Sequence, residues 1–232
     1  MEEGCIEKCL RAIDGQHYKR SEFEIIVSDA RSTDRTVEIA RRYTDNIVVE
    51  ERKGIAFGRN SGAKKASGDI LIFVDADAVL EPEFINHCHQ TFLDQNILGL
   101  TGIANPSDGG TLQRFVYRGT YWMVRFFCLF GLCLFPGICV AYRRKVFSYV
   151  GGFREDFGIV EDLDLSRRIS HIGTCKVNTK ASAAVSTRRL EKHLVSTICF
   201  HIYSDLKYLI TGRAPVYYPK TEEIRSWHDL WH

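Results

Sequence analysis

The sequence has 232 residues, 45% of them hydrophobic, and its 31 Lys and Arg nearly balance its 29 Asp and Glu. This length and composition suffice for one sizeable core, and no Pro/Gly/Ser-rich linker divides the chain. Because the basic residues form no arm or stripe, the composition argues against a nucleic acid partner and favours small-molecule or lipid chemistry.

Strands and helices are predicted to alternate through the first part of the chain. The predicted helices, from apolar spacing and capping residues, are 6–16, 32–43, 54–68 and 81–93. The predicted strands are 23–29, 46–51 and 69–77. The apolar runs are too continuous for a one-sided sheet, so the alternation predicts an α/β fold with a mostly parallel sheet flanked by helices.

The pattern is looser in the second half. Residues 99–106 are predicted to form a strand, and 126–142 is the most apolar stretch of the chain. A membrane-spanning helix needs about 20 apolar residues, so this stretch predicts either a core strand with a packed helix or a helix in the membrane interface. Residues 188–212 are basic and then amphipathic, and either rest on an anionic membrane surface or pack on the core.

Two carboxylates follow the strand "ILIFV" and point to a function. In α/β sheets the ligand crevice lies beyond the carboxyl ends of the strands, where Asp29, Asp75 and Asp77 are all predicted. Acids at alternate positions, such as Asp75 and Asp77, can share a divalent cation with phosphate oxygens. They can equally cap a helix or serve as the nucleophile pair of a phosphatase. The spacing alone leaves these interpretations open.

Three segments, taken together, narrow the choice. They are "EIIVSDARSTDRTVEIA" (24–40), "GRNSGAKKASGDILIFVDADAVLEP" (58–82) and "GGFREDFGIVEDLDLSRRI" (151–169). In this order they resemble the family 2 glycosyltransferases of GT-A fold over about residues 4–175, and co-linear motifs are more specific than any one motif. The resemblance implies a Rossmann-like sheet and inverting, metal-dependent sugar transfer. A haloacid-dehalogenase-like phosphatase explains only the second segment.

The resemblance also implies donor-side roles. Asp29, Arg59 and Asp75 would contact the nucleotide of a UDP- or GDP-sugar. Asp77, with Asp75, would bind Mg²⁺ or Mn²⁺, since both ions suit carboxylate and phosphate oxygens. Structural alternatives remain for these residues: carboxylates at strand ends often cap helices, and an exposed Arg is often only solvated.

On the acceptor side, the resemblance implies that Asp162 is the catalytic base, with Glu161 orienting Asp162 or the acceptor. Gly137, Gly152 and Phe153 lie where the family binds its acceptor, a hydroxyl or a polyprenyl-linked or other lipid. A pair of acids at a helix start can instead serve only the helix dipole. His193 and His201 have no acid at a supporting spacing and are predicted to be structural.

The predicted organisation is a glycosyltransferase domain over 1–185 and a C-terminal helical extension over 186–232. Within the domain, about 1–100 would bind the nucleotide and about 101–185 the acceptor. Family members typically begin with a strand of the form VSVIIPTYNE, whereas this sequence opens "MEEGCIEKCL". We therefore expect that strand to be missing, which makes a non-catalytic nucleotide-sugar-binding remnant the alternative function.

The cysteines and the N-terminus bear on location. The eight cysteines form no CxxC pair and no zinc-type spacing, which favours reduced thiols. The N-terminus is acidic and lacks the apolar core of a signal peptide. The sequence thus predicts a cytoplasmic protein, with peripheral contact at the inner face of the cell membrane as an option.

Overall fold

Helices pack on two sheets in the computed structural model, which describes residues 3–108, 110–187 and 194–214. The helices are α1 (Glu3–Asp14), α2 (Thr36–Ala40), α3 (Ile55–Lys65), α4 (Phe84–Phe92), α5 (Thr111–Leu129), α6 (Arg144–Tyr149), α7 (Glu161–Ser170) and α8 (Leu194–Thr211). The strands are β1 (Val27–Asp29), β2 (Ile47–Val49), β3 (Ile70–Val74), β4 (Ala78–Leu80), β5 (Ile97–Pro106), β6 (Cys139–Arg143) and β7 (Thr174–Val185). The α/β class and the flanking helices are as predicted.

The strand directions correct the prediction of a mostly parallel sheet. The larger sheet has the order β3-β6-β5-β7-β4, and β1 and β2 form a separate parallel pair. Only β5 and β7 run parallel in the larger sheet, while β3 and β6, β5 and β6, and β4 and β7 are antiparallel. A continuous apolar run indicates that both faces of a strand are buried. Helices can bury both faces of the sheet whatever the strand direction, so the run does not reveal whether strands are parallel.

Strand β3 is held along its whole length, and this fixes the position of the acids that follow it. At one end Arg144 N–H donates to Asp69 O at 2.8 Å, and at the other Asp75 N–H donates to Ile138 O at 3.0 Å. The ladder between β3 and β6 therefore brings Asp75 beside the segment that contains Gly137.

The core lies on both faces of the larger sheet, and β6 shows how one strand serves both. Val140 and Tyr142 face a cluster that includes Phe135 and Leu165. Cys139 and Ala141 face the other cluster, which includes Phe84 and Leu100. Alternate residues of a strand point to opposite faces, so these fully buried side chains anchor helices on each side.

Helix α1 covers the smaller sheet. Its Ile6 and Leu10, one helical turn apart, pack with Val27 of β1 and Ile39 of α2. The carboxylate of Asp34 accepts from the Thr36 N–H at 3.2 Å and from its hydroxyl at 2.6 Å, and α2 begins at Thr36 rather than at residue 32 as predicted.

Both apolar segments of the second half contribute to the core. The stretch 126–142 contains the end of α5, a partly buried turn and most of β6. Of 188–212, residues 188–193 lie outside the described residues. The remainder belongs to α8, whose buried positions Phe200 and Tyr208 pack against the loop before α7. No helix within the described ranges is long and apolar enough to cross a membrane.

Candidate active site

Arg59 of α3 joins three separate segments at the end of β3. Its Nη1 donates to Glu161 Oε1 at 2.9 Å, and its Nη2 donates to Asp75 Oδ1 at 2.8 Å and to Gly137 O at 3.0 Å. The side chain is 13% exposed, and that of Glu161 only 7%. Charge-assisted bonds in so buried a place are strong and directional. Four residues that the sequence singled out are therefore brought into one cluster.

Asp162 is held by backbone donors beside that cluster. Gly137 N–H donates to Asp162 Oδ2 at 2.5 Å, and Leu163 N–H donates to Oδ1 at 2.8 Å. One donor comes from the turn before β6 and the other from the first turn of α7. The carboxylate is therefore fixed in orientation by two different parts of the fold.

The residue before these acids has an unusual backbone. Val160, the N-cap of α7, has φ 64° and ψ 14°, the left-handed conformation. A β-branched side chain rarely adopts this conformation because its Cβ crowds the backbone. Val160 is nonetheless buried among Phe157, Ile159 and the α8 residues Phe200 and Tyr208. The turn that presents Glu161 and Asp162 is thus held in place by packing.

Asn60 and Phe153 form a hydrogen-bonded pair next to Arg59. Asn60 Nδ2 donates to Phe153 O at 2.9 Å, and Phe153 N–H donates back to Asn60 Oδ1 at 3.0 Å. The Phe153 ring lies 5.3 Å from the Arg59 guanidinium carbon. Gly152, with φ +71°, makes the turn, and a Cβ there would come within 2.7 Å of Asn60 Oδ1.

These contacts bear on two predicted roles, both of which stay predictions. Phe153, predicted as an acceptor contact, is 2% exposed, and its ring lies against the Arg59 guanidinium. Arg59, predicted to hold a phosphate, already donates to two carboxylates and a carbonyl and is largely buried. Its geometry is that of a residue that positions Asp75 and Glu161.

The cluster is electrostatically unbalanced. Burial and the neighbouring Asp162 carboxylate raise the pKa of Glu161, and the attraction of Arg59 does not outweigh them. Within the part of the chain that the structure describes, Arg59 is thus the cation that faces the carboxyl groups of Asp75, Glu161 and Asp162. The cluster would be stabilised by additional positive charge or by a proton.

Helix α8 contains Asp205, which the sequence did not single out, and His201, which the sequence predicts to be structural. Burial and the charge of Asp162 raise the pKa of Asp205 to about 7, whereas His201 is exposed. His201 and Asp205 are one helical turn apart and so share a face of α8. The prediction that His201 is a structural residue stays a prediction. His193 lies outside the described residues.

Asp29 lies at the end of β1, as predicted, whereas Asp77 lies in the turn between β3, which ends at Val74, and β4 rather than at the end of a strand over 69–77. Asp29, the last residue of β1, is buried, and its Oδ2 accepts from Ser32 N–H at 3.0 Å. Asp77 follows Asp75, and both acids lie near the buried thiol of Cys9. Burial and then these two acids raise the pKa of Cys9 to about 12, so Cys9 remains a thiol and a poor metal ligand.

Asp75 and Asp77, which follow β3, fit a divalent cation whose coordination shell is completed by a bound ligand. Within the described residues, no three His, Cys, Asp or Glu side chains are grouped to hold a metal by themselves. Mg²⁺ and Mn²⁺ often take one or two carboxylates and complete their shell with phosphate oxygens and water. Asp75 and Asp77 supply two hard oxygen donors of the required kind.

Comparison with known proteins identifies relatives. The family model described as "Glycosyl transferase family 2" matches residues 1–151. Glycosyltransferase AglE of Haloferax volcanii is 35% identical over 114 residues, which cover 47% of this chain and 35% of that protein. The dolichyl N-acetyl-alpha-D-glucosaminyl phosphate 3-beta-D-2,3-diacetamido-2,3-dideoxy-beta-D-glucuronosyltransferase of Methanococcus voltae is 31% identical over 117 residues, 45% of this chain and 36% of that protein. The chain thus spans about a third of the length of these relatives.

A solved structure shares the fold. Mannosyltransferase PcManGT from Pyrobaculum calidifontis, in complex with GDP-Man and Mn²⁺, superposes with a TM-score of 0.74 at 22% sequence identity. The match covers 91% of this chain and 62% of that chain. At this level of identity the likeness shows the fold alone, and the fold shared is the GT-A fold.

Proposed function

The chain belongs to the family 2 glycosyltransferases, and from that premise we propose that it transfers a sugar from a nucleoside diphosphate donor to an acceptor hydroxyl or lipid phosphate. Transfer inverts the configuration of the sugar carbon and depends on a divalent cation. One observation carries the proposal: the Asp162 carboxylate is fixed by two backbone donors beside the Arg59-centred cluster at the end of β3.

The proposed chemistry is a single displacement. Asp162 accepts the proton of the acceptor as the acceptor oxygen forms a bond to the anomeric carbon. The bond from that carbon to the diphosphate oxygen breaks on the opposite face, and the nucleoside diphosphate leaves. The backbone donors of Gly137 and Leu163 hold the base in position, and Arg59 holds Asp75 and Glu161 around it.

Asp77 and Asp75 would hold the cation, and Asp29 would contact the nucleotide. When bound, Mg²⁺ or Mn²⁺ would neutralise the charge that develops on the diphosphate. The GDP-Man and Mn²⁺ of the similar mannosyltransferase support this class of donor and ion. The dolichyl phosphate substrate in the name of the Methanococcus relative supports a lipid-linked acceptor.

Helix α8 extends the proposed acceptor side. Phe200 and Tyr208 pack against the turn before α7, and the Tyr208 hydroxyl donates to Asp164 Oδ1 at 2.9 Å, so α8 lies beside the helix that carries Asp162. With a pKa of about 7, Asp205 is partly protonated near neutrality and can donate or accept a hydrogen bond. We therefore include α8 in the acceptor-binding part, beyond the predicted border at residue 185.

Metal-dependent nucleotide binding tests the donor half of the proposal. Titration calorimetry of the 232-residue chain should show UDP or GDP binding that strengthens with Mn²⁺ and identify the preferred nucleotide. Asp77→Ala should remove this strengthening. The nucleotide affinity measured with Mn²⁺ should fall by more than the roughly 10- to 100-fold that loss of an outer-shell partner costs.

A matched control distinguishes loss of the metal site from the loss of any acidic residue. Asp69 lies at the other end of β3 with a 90% exposed side chain, and Asp69→Ala should bind as the unaltered chain does. Folded protein that binds neither nucleotide would contradict the proposal. Metal-dependent binding without any sugar transfer would instead identify a non-catalytic nucleotide-sugar-binding remnant.

Gly137 offers a test of how closely the base is positioned. A Cβ on Gly137 would lie 2.6 Å from Arg59 Nη2 and 2.9 Å from Asp162 Oδ2, so one of these groups must move. Gly137→Ala should lower the rate of nucleoside diphosphate release from the donor by roughly tenfold to hundredfold, as small misplacements do. Gly119→Ala in α5, where a Cβ meets nothing within 4 Å, should leave this rate unchanged.

A further inference from the structure

Helix α5 exposes a continuous apolar stripe. At about 100° per residue its members fall within about 120° of one another and so share one face of the helix. They are Leu112, Phe115, Trp122, Met123, Phe126 and Leu129, with Phe130 directly after the helix, and their exposure runs from 45% at Met123 to 81% at Leu129. A group of large exposed apolar side chains of this kind indicates an interaction surface.

The opposite face of α5 explains why the helix holds its place without this stripe. Val124 is buried at 3% exposure, and Tyr117 and Cys128 are partly buried against the two core clusters. Tyr117, Val124 and Cys128 follow one another at helical spacing. The stripe is therefore the outer face of a helix that is anchored to the domain by its inner face.

Positive charge lies along one border of the stripe. At about 100° per residue, Arg114, Arg118 and Arg125 fall on the same flank of α5. The helix contains no Asp or Glu, and no carboxylate among the described residues forms an ion pair with these arginines. Arg125 lies 5.8 Å from the Trp122 ring, an arrangement in which charge and aromatic surface can bind together.

These features together fit the surface of an anionic bilayer. A helix that lies in the membrane interface has an apolar face with aromatic residues, a basic border and low overall hydrophobicity. From Leu112 to Phe130 the stripe is about 27 Å long at the rise of an α-helix, a line of contact parallel to the membrane plane. A second protein would also bury the stripe, but only an anionic partner explains a border of arginines without acids.

We propose that the outer face of α5 binds the interfacial region of an anionic lipid bilayer. The aromatic and aliphatic side chains enter the boundary between head groups and acyl chains, and the three arginines contact lipid phosphates. Binding does not require the transfer reaction. If the proposed function holds, this contact brings the turn after α5, which ends at Gly137 beside Asp162, toward a lipid-linked acceptor.

Vesicle co-sedimentation of the 232-residue chain tests this without any sugar donor. The chain should bind vesicles of phosphatidylcholine mixed with phosphatidylglycerol, bind phosphatidylcholine alone more weakly, and dissociate as salt is raised. The triple variant Phe115→Ser, Trp122→Ser, Phe126→Ser should lower the fraction bound to anionic vesicles by at least about tenfold. Arg118→Gln with Arg125→Gln should lower binding to anionic vesicles only.

The matched control replaces equally exposed apolar residues elsewhere. Leu93, Tyr149 and Ile172 lie outside α5 and are 58%, 81% and 49% exposed. Their simultaneous replacement by Ser should leave vesicle binding unchanged. An equal loss in this control would show that general hydrophobicity, rather than α5, drives binding and would overturn the proposal.

A spectroscopic measurement locates the contact. In a Trp227→Phe, Trp231→Phe variant, Trp122 is the one tryptophan left, and its emission should shift to the blue on anionic vesicles and be quenched by brominated lipid. An unshifted emission would contradict the proposal. So would ultracentrifugation that shows dimers dependent on the stripe and no vesicle binding, because the stripe would then serve a second copy of the chain.

Discussion

Asp162→Asn is expected to lower the rate of nucleoside diphosphate release by roughly 10²- to 10⁴-fold, the range that general base catalysis contributes. An amide cannot accept the acceptor's proton. It keeps the size of the carboxylate, but its single oxygen can accept from only one of the two backbone N–H groups, of Gly137 and Leu163, that position Asp162. The measurement is steady-state kinetics with sugars of the nucleotide that calorimetry identifies, in water and with a polyprenyl-linked sugar, whose hydroxyl carries the proton, as acceptor.

Binding of the donor should survive this change, since Asp162 contacts the acceptor side. Calorimetry on Asp162→Asn should therefore give an affinity for nucleotide close to that of the unaltered chain. Asp156→Asn serves as the control, because Asp156 is exposed and pairs only with the nearby Arg154 at 2.8 Å. A rate for Asp162→Asn that equals the rate of this control would exclude Asp162 as the base.

Arg59→Met is expected to lower the free energy of unfolding by about 3–5 kcal/mol, the cost of breaking a buried ion pair by removing one partner. The change leaves Glu161 buried and without its guanidinium, and Asp75 loses the same donor. Urea unfolding at neutral pH measures the effect. Methionine keeps most of the side-chain volume, so the loss reports charge and hydrogen bonding more than a cavity.

The double variant with Glu161→Gln separates this cause from general disruption. Glutamine removes the buried charge that Arg59 neutralised, so part of the lost stability should return. Arg154→Met, which breaks the exposed pair with Asp156, should cost no more than about 1 kcal/mol. Equal losses at Arg59 and Arg154, or no recovery in the double variant, would contradict the assigned role.

The positions of the acids could be predicted from the sequence because local rules place them. Asp29 and Asp75 follow apolar runs, and such runs become strands whose ends are exposed to ligands. Glu161 and Asp162 precede an amphipathic segment, which predicts a helix start. These predictions of position are confirmed by β1, β3 and α7.

What the sequence could not provide were contacts between distant segments. The bonds of Arg59 reach Glu161, 102 residues away, and Gly137, 78 residues away. The local sequence around a buried helical Arg such as Arg59 does not differ from that around an exposed one. Likewise, nothing in the local sequence around His201 and Asp205 shows that α8 packs beside α7, since that depends on how Phe200 and Tyr208 fit the turn at Val160.

That turn has a consequence for how far the functional unit extends. A β-branched residue in the left-handed conformation stores about 1–3 kcal/mol of backbone strain, which surrounding contacts must offset. At Val160, part of that restraint comes from α8. In a chain cut after residue 185, the turn would lose this restraint, relax toward an extended backbone and release the Asp162 carboxylate from Gly137. We therefore expect α8, which the sequence predicts to be an extension, to hold the proposed catalytic base in position.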